Sequence, residues 1–212
     1  MIPSDVFDDV RAAAGEFLGL DAYQAEFEEV YRDVTEVVWK LERAQHFHEP
    51  AVPSWRAADA GDWARAVELI EEMRAPLTAM YRERAPFRRL RVVELPPTPY
   101  LQWESQIFAV RVAAGEEIRV LAASAVAPLE TRAPLPELVV FGPHLLYEVR
   151  YDEIGAAVGA RRITDPGVVS PCLSALVSLY GAGEDLLPFF EREVAPLPPP
   201  PDLSDKPARI GP

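Results

Sequence analysis

The sequence predicts an α+β domain, with a mostly antiparallel sheet of four to six strands and helices packed chiefly on one face. Two observations predict it. Short runs rich in Val, Ile, Leu and aromatics, bounded by Pro, Gly or Asp, recur near residues 37–43, 89–95, 117–121, 138–142, 145–151 and 158–163. Between and around them, apolar residues recur three and four apart, the spacing of a helix with one buried face. The stretch RRLRVVELPPTPYLQWESQIFAVRVAAGEEIRVL, Arg88–Leu121, contains both patterns in succession and organises the rest.

Within that stretch, Leu90, Val92 and Val93 suit a strand, which Pro96 and Pro97 end. Thr98-Pro99 starts a helix, because a hydroxyl can accept from orphan amides and proline fits the first helical position. Tyr100, Trp103, Ile107 and Val110 form its apolar stripe. Gly115 suits a left-handed terminator, and Ile118–Leu121 returns as a strand. The helix over 98–113 is therefore the expected central contact between layers.

Upstream, Asp5–Phe17 and Ala22–Thr35 read as helices separated by Gly19, and both are acidic. Val37, Trp39 and Leu41 alternate with Val38, Lys40 and Glu42 as in a strand, with a continued helix as the rival. Asp62 can cap a helix through Ala66, Ile70 and Met73, which Pro76 should kink or divide. Downstream, Ala122–Pro136 reads as loop. Gly142-Pro143 suits a tight turn between Leu138–Phe141 and Leu145–Tyr151, and Gly155 leads to a third strand at 158–163. Asp165-Pro166 opens a helix carrying Val169, Leu173, Leu176, Val177 and Tyr180, and a short helix is expected near 185–193. This divides the chain into an acidic helical extension (1–35), a single α+β domain (36–195) and a proline-rich disordered tail (196–212).

Composition narrows the functions. The chain has 212 residues, 49% of them hydrophobic, enough for a sizeable core. A net charge of −13 argues against a general nucleic-acid binder, which needs a basic surface. No apolar run approaches the roughly 20 residues that span a bilayer. The opening MIPSDVFDDV lacks the basic and apolar regions of a secretory signal, and Cys172 is alone. A cytoplasmic setting is expected. The basic island Arg82, Arg84, Arg88, Arg89 and Arg91 reads as helix-end and strand-flank charge, ahead of a patch for an acidic partner or an acidic surface of the same protein.

Catalytic motifs are missing: there is no GxGxxG, GxxxxGK[ST], GxSxG, HExxH or CxxC. His46-Phe47-His48-Glu49 has two possible metal ligands, but His144 is the only other histidine and the segment reads as a polar loop. Cys172 reads as a packing residue. Glu116 and Glu117 read as solvated residues after the helix end. No metal, cofactor or catalytic residue is assigned.

Glu104 is different. Four residues after Tyr100 and three before Ile107, it falls inside the apolar stripe, so it must be paired or hold its proton. Arg91 and Arg119, on the flanking strands, are the candidate partners. The pair can simply hold the helix on the sheet. Alternatively Glu104, Arg91, Arg119, Trp103 and Tyr100 line a cleft for a small polar ligand.

RLRVVELPPTPYLQWE, VAAGEEIRVL and, more faintly, Leu138–Phe141 with His144–Asp152 resemble an actinobacterial (Streptomyces-type) domain-of-unknown-function family, as does Leu41-Glu42 followed by Phe47. The likeness runs from about Trp39 to Tyr180. Its members are often encoded beside helix-turn-helix regulators, so the resemblance implies a regulatory setting and supplies no catalytic residues. The chain departs from the family pattern at Gly142, where members carry an aspartate after an aromatic-rich strand, and at Ala122-Ala123, where members often carry arginine. The leading expectation is a non-enzymatic regulatory or adaptor protein acting through a protein partner or homo-oligomer. The alternative is a small-molecule enzyme or ligand sensor of a specialised biosynthetic pathway using the Glu/Arg-lined cleft. Direct nucleic-acid binding through Arg82–Arg91 ranks last, and no membrane contact is expected.

Overall fold

A computed structural model describes residues 2–3 and 5–204. The fold is α+β, and its sheet is larger and more mixed than expected. Eight strands form one sheet: β1 (Glu16–Gly19), β2 (Val38–Glu42), β3 (Phe87–Val93), β4 (Glu117–Ala122), β5 (Leu138–Phe141), β6 (Leu145–Tyr151), β7 (Ala157–Ile163) and β8 (Glu184–Asp185). Their order is β1-β7-β6-β5-β2-β3-β4-β8. All six expected strands are present; the short edge strands β1 and β8 are additional. β2 pairs parallel with β3, and β3 with β4, while the remaining pairs are antiparallel. Most pairings are antiparallel, as expected, but the sheet is mixed and has eight strands instead of four to six; the two parallel pairings arise because two helical crossovers return the chain in the same direction.

Helices cover both faces, not chiefly one. On the first face lie α1 (Val6–Ala12) and α8 (Pro166–Ala182), packed on Leu41, Leu90, Val92, Leu138, Val140, Leu146 and Ile163. The second face carries α2 (Leu20–Asp33), α5 (Arg74–Glu83) and α6 (Pro99–Ala114), with the short α9 (Leu186–Phe189) at its end. α3 (Pro53–Asp59) and α4 (Trp63–Glu72) lie outside α6, placing Trp55, Ala58, Ala66 and Ile70 against Tyr100, Trp103, Ile107 and Val110. α6 is thus enclosed between the sheet and two outer helices, which is why it is buried on more than one side.

The local signals act as physics predicts. Thr98 Oγ1 accepts from Leu101 N at 3.1 Å and donates to the Gln45 carbonyl at 3.0 Å. Gly115 ends α6 at φ +122°, a conformation that disfavours any side chain. Asp62 caps α4 and Asp165 caps α8. α4 gives way to α5 at Met73, close to Pro76. The stretch 122–136, expected as loop, contains a four-residue helix, α7 (Ala123–Val126), and one 3₁₀ turn.

The segment expected as an N-terminal extension contributes Val6, Phe7 and Val10 to one core and Tyr31 to another, and its strand β1 pairs with β7. Of the segment expected as a tail, Leu203 is buried beside α3 and α4. Residues 205–212, expected to be disordered, lie outside the described residues.

Candidate ligand cleft

Strand alternation builds the floor of the candidate site. β2 turns Trp39 and Leu41 to the first face, so Lys40 and Glu42 face α6. β3 turns Leu90 and Val92 to the first face, so Arg89 and Arg91 face α6 beside them. The parallel register sets Lys40 beside Arg89 and Glu42 beside Arg91. Four charged side chains therefore occupy the middle of the sheet, under a helix.

Lys40, Glu42 and Arg89 are held by a chain of ion pairs. Lys40 Nζ lies 2.6 Å from Glu42 Oε1, and Arg89 Nη1 lies 2.7 Å from Glu42 Oε2. Arg89 Nε donates to Glu116 Oε1 at 2.6 Å, and Arg111 Nη1 to Glu116 Oε2 at 3.2 Å. Tyr81 accepts from Arg111 Nη1 at 2.9 Å and donates to Glu116. Glu116 is therefore a buried anchor of the network and not a solvated residue past the helix end. Burial alone would favour the protonated forms of Glu42 and Glu116, but the adjacent guanidinium and ammonium charges outweigh it and lower both pKa values.

Glu104 sits apart from that chain. Arg91 Nε donates to Glu104 Oε2 at 2.7 Å, and Tyr100 OH is 3.2 Å from Glu104 Oε1 and 2.7 Å from Glu49 Oε2. Burial, reinforced by the negative charges of Glu42 and Glu49, raises the Glu104 pKa to about 7 despite Arg91. Burial also raises the Glu49 pKa. A tyrosine hydroxyl has one proton to donate, so it can serve only one of the two carboxylates. The second contact then requires a carboxyl proton, which matches the raised pKa values. Nearby, Glu137 Oε1 accepts from the amides of Arg43 and Ala44 at 2.8 and 2.7 Å, and burial raises its pKa to about 7.

This group opens onto a cleft with two lobes. One, of about 520 Å³, is lined by Glu42, Phe47, Glu49, Tyr100, Trp103, Glu104 and Tyr151. The other, of about 530 Å³, lies beneath α2 and α5 and is lined by Tyr23, Phe27, Tyr31, Leu77 and Met80. Gln24, Lys40, Arg89 and Arg111 line both. Each lobe has the size of an ordinary small-molecule site. Trp103 Nε1 is buried and bonds to nothing among the described residues.

The structure brings together four of the five residues singled out from sequence: Glu104, Arg91, Tyr100 and Trp103. Arg119 is not among them. The β3–β4 register places Arg119 beside Leu90, on the first face, where its Nε contacts Asp185 Oδ1 at 3.1 Å and its Nη1 donates to the Tyr180 carbonyl at 3.2 Å. In β4 it is Ile118 and Val120 that face α6. Sequence reasoning missed Lys40, Glu42, Arg89, Arg111, Glu116 and Glu49. A signal existed: Lys40-x-Glu42 in β2 and Arg89-x-Arg91 in β3 place charge at alternate positions around the apolar Leu41 and Leu90.

The basic island forms no surface patch. Arg89 and Arg91 are buried, and Arg88 stacks on Trp39 and Tyr180 on the first face. His46 packs against Tyr100 and His48 against Trp55. Among the described residues no group of three or more His, Cys, Asp or Glu could hold a metal ion, and no helix is long and apolar enough to cross a membrane.

The model of a domain-of-unknown-function family, DUF6879, matches residues 25–191, a span containing every strand but β1 and every cleft residue but Leu20, Tyr23 and Gln24. The chain belongs to the DUF6879 family. No curated protein matches it. The ion-paired floor, α6 and Glu116 all lie inside the DUF6879 span, whereas α1 and β1 precede it.

Proposed function

We propose that this DUF6879 protein is a ligand sensor that binds a small polar molecule in the cleft over β2 and β3. Its setting in this reading is regulatory and intracellular, beside transcription regulators of the actinobacterial type. The observation that carries it is a continuous set of buried charges lining an open cleft. Burying so many ions is costly unless each is paired, and an apolar sheet face would hold α6 as well. A charged floor under an accessible space is the arrangement expected of a binding site. The test is thermal stability against a panel of small polar compounds, since a ligand binding only the folded state raises Tm. A hit that Glu104→Gln weakens supports the reading; product formed from the hit and lost in Glu104→Gln selects the enzymatic form, in a biosynthetic pathway. The reading falls if no compound shifts Tm, or if Glu104→Gln lowers stability while binding and turnover stay unchanged.

A second reading, the adaptor or homo-oligomer, rests on the open edge at β1. That strand has a partner on one side only, and its Phe17 is 59% exposed. A dimer in solution that Phe17→Asp converts to monomer would favour it; a wild-type protein monomeric at all concentrations would remove the homo-oligomer form. Nucleic-acid binding has no comparable support, because two of the arginines that suggested it, Arg89 and Arg91, are buried in ion pairs inside the domain and a third, Arg84, pairs with Glu28.

A further inference from the structure

Resting on the ligand-cleft reading, we propose that the ligand is a small amphipathic anion. Its carboxylate or phosphate head lies on Lys40, Arg89 and Arg111 where the lobes meet, and its ring or short chain enters the lobe of Tyr23, Phe27 and Tyr31.

Hydrogen-bond supply and demand at the junction point this way. Lys40 carries three N–H groups and its ion pair with Glu42 Oε1 engages one direction only. Arg89 commits Nε to Glu116 and Nη1 to Glu42, leaving Nη2 without a partner among the described residues. Arg111 uses Nη1 for Tyr81 and Glu116, leaving Nε and Nη2. The carboxylates there are by contrast already paired. Both oxygens of Glu42 and both oxygens of Glu116 are engaged. What the junction offers a ligand is therefore donors, from three cations that line both lobes.

Charge agrees with that supply. Lys40, Arg89 and Arg111 are paired with two carboxylates, Glu42 and Glu116, which leaves an excess of one positive charge, and Glu28, the one carboxylate lining the lobe under α2 and α5, is itself paired with Arg84, in a chain whose net charge is −13. A local excess of positive charge in so acidic a protein favours an anion at that spot. In the other lobe, burial favours the protonated forms of Glu49 and Glu104, which reduces their repulsion of an incoming anion. The remaining surface under α2 and α5 is aromatic and aliphatic, and suits a ring or a short chain. A planar guanidinium accepts carboxylate and phosphate alike, so the head's chemistry is shared between the two.

The experiment is isothermal titration of the full chain with phenylacetate, phenyl phosphate and tyramine, which share a ring and differ in the charged group. The expected result is binding of phenylacetate or phenyl phosphate, with the tighter one naming the head, and no binding of tyramine. Lys40→Gln should weaken the anion by about tenfold or more, the loss of one charge-assisted hydrogen bond. Arg111→Lys, which keeps a cation for Glu116, should weaken it in the same direction. Arg119→Gln, on the opposite face, should leave it unchanged. Circular dichroism confirms that each variant folds. Anion binding unaltered in Lys40→Gln and Arg111→Lys overturns the proposal. Binding of tyramine in place of the anions overturns it too, but leaves the ligand-cleft reading standing. If none of the three binds while other compounds in the stability panel raise Tm, the anion proposal alone falls; if nothing in either experiment binds, both fall.

Discussion

Replacing Glu104 by Gln tests how its buried carboxyl is held. The substitution keeps the shape and the acceptor for Arg91 Nε but removes the ability to ionise. In the folded chain the carboxyl titrates near pH 7, against 4.5 for the free group, because burial and the neighbouring Glu42 and Glu49 outweigh Arg91. The folded state therefore binds the proton more tightly than the unfolded state does. Below pH 4.5 the group is protonated in both and contributes no pH dependence. As pH rises towards 7 the unfolded chain loses its proton while the folded chain keeps it, and stability falls. Above pH 7 the full penalty is present, on the order of 3 kcal/mol from the difference in pKa. Gln carries none of it. The stability of Glu104→Gln minus that of wild type should consequently rise by about 2–3 kcal/mol between pH 5 and pH 8, since a part of the penalty is already present at pH 5. Urea denaturation of both proteins at the two pH values measures this, and the subtraction removes the parallel contribution of Glu137, which titrates in the same window. A difference that stays constant across the range would refute the reasoning, because it would mean that Arg91 keeps Glu104 ionised throughout.

Other consequences are simpler to read. Arg91→Met removes a fully buried cation and leaves Glu104 without its guanidinium; a loss of about 3–5 kcal/mol in urea denaturation is expected. Arg119→Gln, in an exposed pair with Asp185 on the other face, should cost less than about 1 kcal/mol. Thr98→Ala removes the cap of α6 and should cost about 1 kcal/mol, seen as a lower Tm. Gly159 has φ +147°, and a Cβ there would meet the Leu18 carbonyl oxygen; Gly159→Ala should raise amide exchange in β1 while that in β2, β3 and β5 stays slow.

Much of the fold is legible locally, and the central unit shows why. A capping hydroxyl, a proline at the first helical position and a terminal glycine specify α6 through atoms within a few residues of one another. The other six strands are readable for the same reason. β1 and β8 escape notice because β1 is mostly exposed and carries no continuous apolar run like that of β5, and β8 has only two residues; pairing with a neighbour makes them strands. The α3 helix is not legible in the sequence because its seven residues, opening on Pro53, carry too little periodicity to mark a helix.

What the sequence alone determined was the identity of six of the strands and of the longer helices, and the anomaly of Glu104, since a carboxylate inside an apolar stripe is a conflict visible at helical spacing. What only tertiary structure decided was strand order, strand direction and which parity of each strand faces α6. Arg91 and Arg119 each alternate with apolar neighbours, and nothing local distinguishes them. In β3, Arg89 and Arg91 face the helix, and in β4 the apolar Ile118 and Val120 do. Alternation fixes that successive side chains point to opposite faces, but the choice of face is a property of the assembled sheet.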